Sequence, residues 1–200
     1  MKMYHFSNNI FAFHSSYNIY YYQYVDGFLI DSNCKNALNE SIYEICEIDK
    51  NKIAIYAWNK GKIYGYNDFL IFYDWVNDSK IDSIKIGDGE GSDKHIRKIN
   101  DNIIILQHKV LFYLIDIKKR KIKQKISLYT RDLTNLIKIN DKIILVKYSS
   151  NELCQYEVKD ENKVVYSCSK SIESFDEFMK FPGNRLIFIN NEKKICSIYA

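Results

Sequence analysis

The sequence predicts an all-β fold built from about five repeats of a four-stranded antiparallel meander. Ile, Tyr and Phe dominate the apolar residues, with 17 tyrosines and 11 phenylalanines in 200 residues, and these residue types favour strands. Short apolar runs alternate with tight polar breaks along the chain, which is typical of consecutive hairpins. The pattern recurs about every forty residues, so we expect a repetitive architecture.

The clearest repeat covers residues 96–128, where four apolar runs are separated by three polar breaks. The breaks are Asp101-Asn102, His108-Lys109 and the run from Lys118 to Lys121. Short polar breaks between apolar runs favour tight turns, and Asn and Asp in the first break tolerate the positive φ angles that such turns need. The segment is therefore expected to form four strands joined by three hairpins.

The first repeat is predicted over residues 1–40 and begins almost at Met1. Its strands are expected over residues 3–7, 10–14, 18–25 and 28–31. Asn8-Asn9 and Asp26-Gly27 predict the tight turns. A polar connector is expected over residues 32–40.

The second repeat is predicted over residues 41–93. Its strands are expected over residues 41–48, 53–58, 69–75 and 80–86. Ile42, Ile45 and Ile48 do not alternate cleanly with polar residues, so a helical turn is the competing interpretation of the first strand. A long link is expected over residues 59–68.

A glycine-rich stretch over residues 87–93 ends the second repeat and holds three of the seven glycines. It lacks the Lys-Ser/Thr pair of a phosphate-binding P-loop, and no helical pattern follows it. We therefore interpret it as a connecting loop.

Three further repeats complete a single domain, over residues 94–133, 134–176 and 177–200. Strands of the fourth repeat are expected over residues 135–140, 143–148, 152–158 and 163–169. Strands of the fifth repeat are expected over residues 178–181, 185–189 and 195–200. The last repeat thus has three predicted strands where the others have four.

The repeats align with one another at a nearly constant spacing. Their first turns begin at Asn8, Lys50, Asp101, Asp141 and Gly183, with gaps of 42, 51, 40 and 42 residues. The strongest internal match joins KINDNIIIL, residues 98–106, with KINDKIILV, residues 138–146. A fixed period with four strands per repeat predicts a β-propeller, in which radial stacking buries both faces of each meander. A β-sandwich or another meander is the alternative.

Acidic residues follow the third strand of four repeats, in the pairs Val25-Asp26, Tyr73-Asp74, Ile115-Asp116 and Tyr156-Glu157. This arrangement resembles the WD-repeat family, in which the third strand of each blade ends in Trp-Asp. Lys94-His95, before the first strand of the third repeat, is similar to the Gly-His pair of that family. The motifs are degenerate, since no Trp-Asp or Gly-His dipeptide occurs. The resemblance implies a propeller of about five blades that serves as an interaction platform.

The strand count does not decide whether the predicted ring of blades is closed. WD-repeat rings close by pairing strands from opposite ends of the chain, and nothing in the sequence supplies a fourth strand for the last blade. One expectation is an open ring whose edge at residues 195–200 accepts a strand from a partner protein. The alternative is a small closed ring with one thin blade.

The sequence favours an intracellular, non-enzymatic protein. The histidines, His5, His14, His95 and His108, fall in separate segments without a recognised catalytic spacing, and no catalytic or dinucleotide fingerprint occurs. The five cysteines form no CxxC pair, so neither a zinc site nor another cofactor site is expected. Without an apolar signal core or a run long enough to span a membrane, a cytoplasmic or nuclear location is predicted. An enzyme with a site built from loops on the propeller axis is the competing hypothesis.

Charge is uneven along the chain, whose formal net charge is +4. Successive quarters carry −3, +1, +7 and −1, so the third quarter is basic. One interpretation of the run Lys118, Lys119, Arg120 and Lys121, with Lys123 and Lys125 beyond it, is a site for nucleic acid or a membrane surface. The competing interpretation is that these lysines protect an exposed edge strand from aggregation.

The leading functional hypothesis is a protein-interaction scaffold, or a subunit of an intracellular assembly. Trp58, His108, Tyr129 and Tyr148 fall beside loops expected on one rim of the ring, and are the predicted protein-binding residues. The alternative is an RNA- or ribosome-associated factor that uses the basic region around residues 118–125.

Overall fold

The computed structural model describes residues 2–7, 9–36, 39–60, 66–88, 94–127, 133–148, 152–159, 163–171, 177–181, 185–190 and 195–199. These residues form an all-β chain of five antiparallel sheets, each a meander of consecutive strands. No helix long and apolar enough to cross a membrane is found among them.

Each sheet contains the strands of one predicted repeat. Sheet 1 holds β1 (Lys2–Phe6), β2 (Ile10–His14), β3 (Asn18–Val25) and β4 (Phe28–Asn36). Sheet 2 holds β5 (Ser41–Asp49), β6 (Lys52–Lys60), β7 (Tyr66–Asp74) and β8 (Ser79–Asp88). Sheet 3 holds β9 (Ile96–Asn100), β10 (Ile103–His108), β11 (Leu111–Asp116) and β12 (Lys121–Ser127).

The remaining strands form two further sheets. Sheet 4 holds β13 (Leu133–Lys138), β14 (Ile143–Tyr148), β15 (Glu152–Lys159) and β16 (Lys163–Ser171). Sheet 5 holds β17 (Glu177–Phe181), β18 (Arg185–Asn190) and β19 (Ile195–Tyr199), and β19 pairs with β18 at its edge.

Local turn chemistry explains where the strands reverse. Asn9, Asp26, Asp78 and Lys109 adopt positive φ angles between 50° and 57°, and Gly27 adopts 90°. Consecutive positive φ angles at Asp26 and Gly27 suit the right-handed twist of a two-residue hairpin. The predicted turns at Asn8-Asn9 and Asp26-Gly27 are therefore confirmed at the described positions.

The repeated KIND motif makes the same contacts in sheets 3 and 4. The side-chain oxygen of Asn100 accepts hydrogen bonds from the amides of residues 102 and 103, and Asn140 does the same for residues 142 and 143. Lys98 pairs with Asp101 at 2.8 Å, and Lys138 pairs with Asp141 at 2.6 Å. The motif is thus a self-contained turn that folds in the same way in both repeats.

Acidic residues at the ends of third strands also stabilise turns. The Oδ1 atom of Asp74 accepts hydrogen bonds from the amides of Val76 and Asn77, and Asp116 accepts one from the amide of Lys119. These contacts are local, within three residues, so they give the recurring acidic position a structural role in the turn.

The alternative interpretation of residues 41–48 as a helical turn is wrong. They lie in β5, whose pairing with β6 is interrupted by bulges between Ile42 and Glu44 and between Glu47 and Asp49. Each bulge inserts a residue and breaks the alternation, which explains the irregular spacing of the isoleucines. The predicted connector over residues 32–40 also begins too early, because β4 runs to Asn36.

Successive sheets pack face to face and form three apolar cores. In sheet 2, Ile53 and Ile55 pack against sheet 1, whereas Ala54 and Tyr56 pack against sheet 3. A third core joins sheets 3 and 4 through side chains such as Phe112. Both faces of sheets 2 and 3 are therefore buried.

First strands of neighbouring sheets also lie side by side. β5 contacts both β1 and β9, and β9 contacts β13. In sheets 1 to 4 the first strand forms one edge of the meander and the fourth strand forms the other, so these contacts join neighbouring sheets along their first edges.

Candidate functional site

The structure describes three of the four residues predicted to bind a partner and places them on different strands. Trp58 is half-buried near the end of β6, where its ring meets Tyr66 edge to face at a centroid distance of 4.6 Å and stacks on Tyr43 at 6.2 Å. Tyr148 is the last residue of β14. Tyr129 lies outside the described residues. Trp58 is thus the one for which a partly accessible ring is described.

His108 lies inside the protein rather than on a rim. It is the last residue of β10, and only 4% of its surface is exposed. The turn predicted at His108-Lys109 therefore starts one residue later, at Lys109, whose φ is 55°. A side chain with so little exposed surface cannot form an extensive contact with a partner protein.

His108 belongs to a buried polar cluster between sheets 2 and 3. Its Nδ1 atom lies 2.7 Å from the Tyr56 hydroxyl and 3.0 Å from Oδ2 of Asp68, the second contact lacking the alignment of a hydrogen bond. Lys94 Nζ donates to Oδ1 of Asp68 at 3.3 Å and sits 3.5 Å from the ring centre of Tyr43. Asp68 is fully buried, so its charge is balanced by protein groups rather than by water.

Electrostatics in this cluster favour a structural role. Burial, reinforced by the negative charge of Asp68, raises the pKa of Tyr56 well above its ordinary value, so Tyr56 stays protonated. Asp68, Lys94 and His108 are all at least nine-tenths buried, and a substrate has no access to them. The contacts of this cluster stabilise the packing of sheet 2 against sheet 3.

A second buried carboxylate links β5 to β9. Glu44 accepts hydrogen bonds from Arg97 Nη1 at 2.9 Å and from the Ile96 amide at 2.7 Å. His95 Nδ1 lies 3.7 Å from Glu44 Oε2. The carboxylate is satisfied by groups of the neighbouring sheet, so it stabilises the contact between two first strands.

A cavity of about 540 Å³ opens beside Glu44 and is lined by β1, β5 and β9 with the adjoining His95. Burial and the charge of Glu44 raise the pKa of Tyr4, which therefore remains a neutral phenol there. Glu47 on the same wall is bonded to the amide and hydroxyl of Ser7. Both carboxylates are engaged by protein donors, which argues against a general acid or base here.

No group of three or more metal-ligating side chains is close enough to hold a metal ion within the described ranges.

Sequence separation explains why the polar clusters around Asp68 and Glu44 were not predicted. Asp68 and Lys94 are 26 residues apart, and Tyr56 and His108 are 52 apart, so no local pattern joins them.

The Cys46 thiol, beside the same cavity, is expected to be unreactive in the folded protein. Burial raises its pKa to about 11. At pH 8 only about 0.1% is then thiolate, the form that reacts with alkylating agents. Iodoacetamide labelling read by peptide mass spectrometry should find Cys46 unmodified in the native protein and modified in urea. Equal labelling rates in both states would show that the thiol is accessible and ionised.

Sheet 1 exposes a cluster of apolar side chains at the hairpin between β3 and β4. We call this cluster the apolar tip; it comprises Tyr24, Val25, Phe28, Leu29 and Ile30. Phe28 is 73% exposed, Leu29 54% and Ile30 53%. Consecutive strand residues point to opposite faces, so exposure of all three shows that the hairpin extends beyond its neighbours.

Other edge strands differ from β4 in chemistry. In β12 the exposed positions are Lys121, Lys123, Lys125 and Ser127, while Ile122 and Ile126 are half-buried. In β8 the exposed positions include Lys80, Asp82 and Lys85. Charged residues on an edge strand discourage pairing with other chains. Exposed and half-buried residues alternate along β12, and the first three residues of β4 are apolar where the starts of β8 and β12 include lysines.

The basic run lies on the hairpin between β11 and β12. Lys118, Lys119, Arg120 and Lys121 are all exposed, and Arg120 pairs with Asp82 of β8 at 3.7 Å. Beside this hairpin is a cavity of about 500 Å³ that we call the basic cleft. Its lining includes Lys52 and Lys98 in addition to Lys118 and Arg120. The first two lie far from the run in sequence and were not predicted.

Comparison with known proteins gives no assignment of the chain. No protein-family model matches the sequence, and no curated protein matches it.

Proposed function

We propose that the meanders stack radially as a degenerate, WD-repeat-like propeller of about five blades, and that this propeller is a non-enzymatic protein-interaction module. Its docking point is the apolar tip. The partner in this proposal is another protein whose apolar segment lies beside β4.

Radial stacking is supported by the contacts of the first strands. β1, β5 and β9 line a single cavity, and β9 also contacts β13. Two sheets packed as a sandwich bury one face each. Here sheets 2 and 3 each bury both faces against a neighbour. Adjoining first strands and doubly buried sheets are the arrangement that propeller blades require.

The exposed apolar tip is the observation that carries the functional proposal. A contiguous apolar patch on a protein surface often marks an interaction site. β4 is also an edge strand, hydrogen-bonded to β3 alone in the described sheet, so its outer backbone groups are available. Free backbone groups next to apolar side chains suit strand addition by a partner segment.

Capture of the tagged protein from its own cells tests this proposal. The variant Phe28→Asp/Ile30→Asp should lower recovery of a stoichiometric partner at least tenfold, because charged groups then replace two of the most exposed apolar contacts. Both positions are exposed, so the thermal midpoint should change little.

Val76→Asp is the matched control. Val76 is 50% exposed in the hairpin between β7 and β8, which is the corresponding hairpin of sheet 2. The partner should be retained by this variant. Retention by both variants, or equal loss from both, would contradict docking at the apolar tip. Partner loss accompanied by a change of oligomeric state in light scattering would instead identify a second copy of this chain as the occupant.

A further inference from the structure

The basic cleft is assembled from separate parts of the chain. Lys52 begins β6, Lys98 lies in β9, and Lys118 and Arg120 lie in the hairpin between β11 and β12. Packing of sheet 2 against sheet 3 brings these cations together around one cavity of about 500 Å³. A cavity of this size accommodates a small organic group.

The lining of the cleft combines an apolar part with a positive part. Ile48, Phe72, Ile81 and Ile117 supply the apolar part. Asp49 pairs with Lys52 at 3.1 Å and Asp101 pairs with Lys98 at 2.8 Å. These two carboxylates offset two of the four cations, and Asp82, 3.7 Å from Arg120, partly offsets a third, so Lys118 supplies most of the excess positive charge of the cleft.

A row of lysines continues from the cleft along β12. Lys121, Lys123 and Lys125 occupy alternate exposed positions, starting one residue after Arg120. Pairing of β12 with β11 shifts register between Ile122 and Gln124, so Lys123 lies in a bulge, where it is exposed like Lys121 and Lys125. Three cations in succession on one edge strand can contact the phosphates of an extended nucleic-acid strand. We call these three residues the lysine row.

We propose that this surface binds single-stranded nucleic acid, with one base in the basic cleft and the phosphates that follow it along the lysine row. A base has to be unpaired to enter a cleft, which favours single strands over duplexes. The apolar lining is recessed between two sheets, whereas insertion into a membrane requires apolar groups that protrude. The site is separate from the apolar tip, so this proposal does not depend on the proposed protein partner.

Fluorescence anisotropy with a labelled 12-nucleotide oligouridylate between 50 and 200 mM KCl tests the proposal. Three contacts from the lysine row and two from Lys118 and Arg120 predict that log K falls with log[KCl] with a slope of about −3.5. The variant Lys121→Gln/Lys123→Gln/Lys125→Gln should reduce the magnitude of this slope by about 2. All three side chains are exposed, so the fold should be retained.

Lys80→Gln/Lys85→Gln is the control, because it removes two exposed lysines from β8, the edge strand of the neighbouring sheet. This variant should keep the wild-type slope. An oligomer of the same length that lacks bases should bind at least tenfold more weakly, since the cleft would stay empty. Oligodeoxyuridylate in a parallel titration distinguishes RNA from DNA as the preferred strand.

Several results would overturn this inference. Absence of binding at 50 mM KCl would do so, and so would equal weakening by the lysine-row and control variants, which would indicate diffuse charge attraction. Equal affinity for the base-free oligomer would exclude a base in the cleft. Binding to phosphatidylserine vesicles without binding to the oligonucleotide would assign the surface to membranes.

Discussion

Replacing Asp68 with Ala should lower the free energy of unfolding by about 3–5 kcal/mol, because removal of one member of a buried ion pair leaves the other charge in a low-dielectric interior. Asp68 is fully buried, and Lys94 Nζ, 3.3 Å from its Oδ1 atom, belongs to a side chain that is 4% exposed. The substitution also removes the carboxylate beside His108. Urea unfolding should show a lower midpoint with an unchanged slope.

Asp49→Ala is the matched control for this prediction. Asp49 also pairs with a lysine, at 3.1 Å from Lys52, but both side chains are nearly half exposed. An exposed ion pair contributes about 0–1 kcal/mol. Asp68→Leu combined with Lys94→Met should recover part of the loss, because both charges are removed together. Equal losses for Asp68→Ala and Asp49→Ala would show that the buried pair does not hold sheets 2 and 3 together.

Phe112→Ala should have an effect of similar size, about 3–5 kcal/mol, because it opens a cavity in the core between sheets 3 and 4. Phe112 is fully buried, and its ring meets Tyr156 of sheet 4 edge to face at a centroid distance of 5.7 Å. Urea unfolding measures the loss. A double-mutant cycle with Tyr156→Ala should give a coupling energy of about 0.5–3 kcal/mol, as expected for side chains in contact.

Phe28→Ala provides the matched control, since the same atoms are removed from a side chain that is 73% exposed. Its effect on the unfolding free energy should stay within about 0.5 kcal/mol. A coupling energy of zero between Phe112 and Tyr156 would contradict face-to-face packing of sheets 3 and 4. An equal effect of Phe28→Ala would show that the apolar tip is covered in solution.

Strand positions were predictable because strand and turn signals are local. The bounds predicted for β2, β3 and β14 are those of the structure, and the KIND turns at residues 98–101 and 138–141 depend on contacts within a few residues. Strand bounds and bulges were predicted less well where they depend on pairing with a neighbouring strand. The bulges of β5 and the extension of β4 to Asn36 depend on the partner strand, which sequence periodicity does not describe.

The candidate sites were less predictable than the strands. His108 was expected on a rim because polar residues next to a turn are usually exposed, yet contacts with Tyr56 and Asp68 hold it inside. Lys52 and Lys98 reach the basic cleft through the packing of sheet 2 against sheet 3. In sequence, the residues of the apolar tip resemble ordinary buried strand residues. They are exposed because the hairpin extends beyond the neighbouring sheets, which the sequence does not indicate.

Local sequence is enough to predict the all-β character, the period of the repeats and the chemistry of the turns, since each depends on residues that are close along the chain. Tertiary packing sets which faces are buried, which polar groups meet and which apolar residues stay exposed at a sheet edge. Residues that are 26 and 52 positions apart form the buried contacts among Tyr56, Asp68, Lys94 and His108. Their proximity is a property of how the sheets stack, because only that packing brings such distant segments within hydrogen-bonding distance.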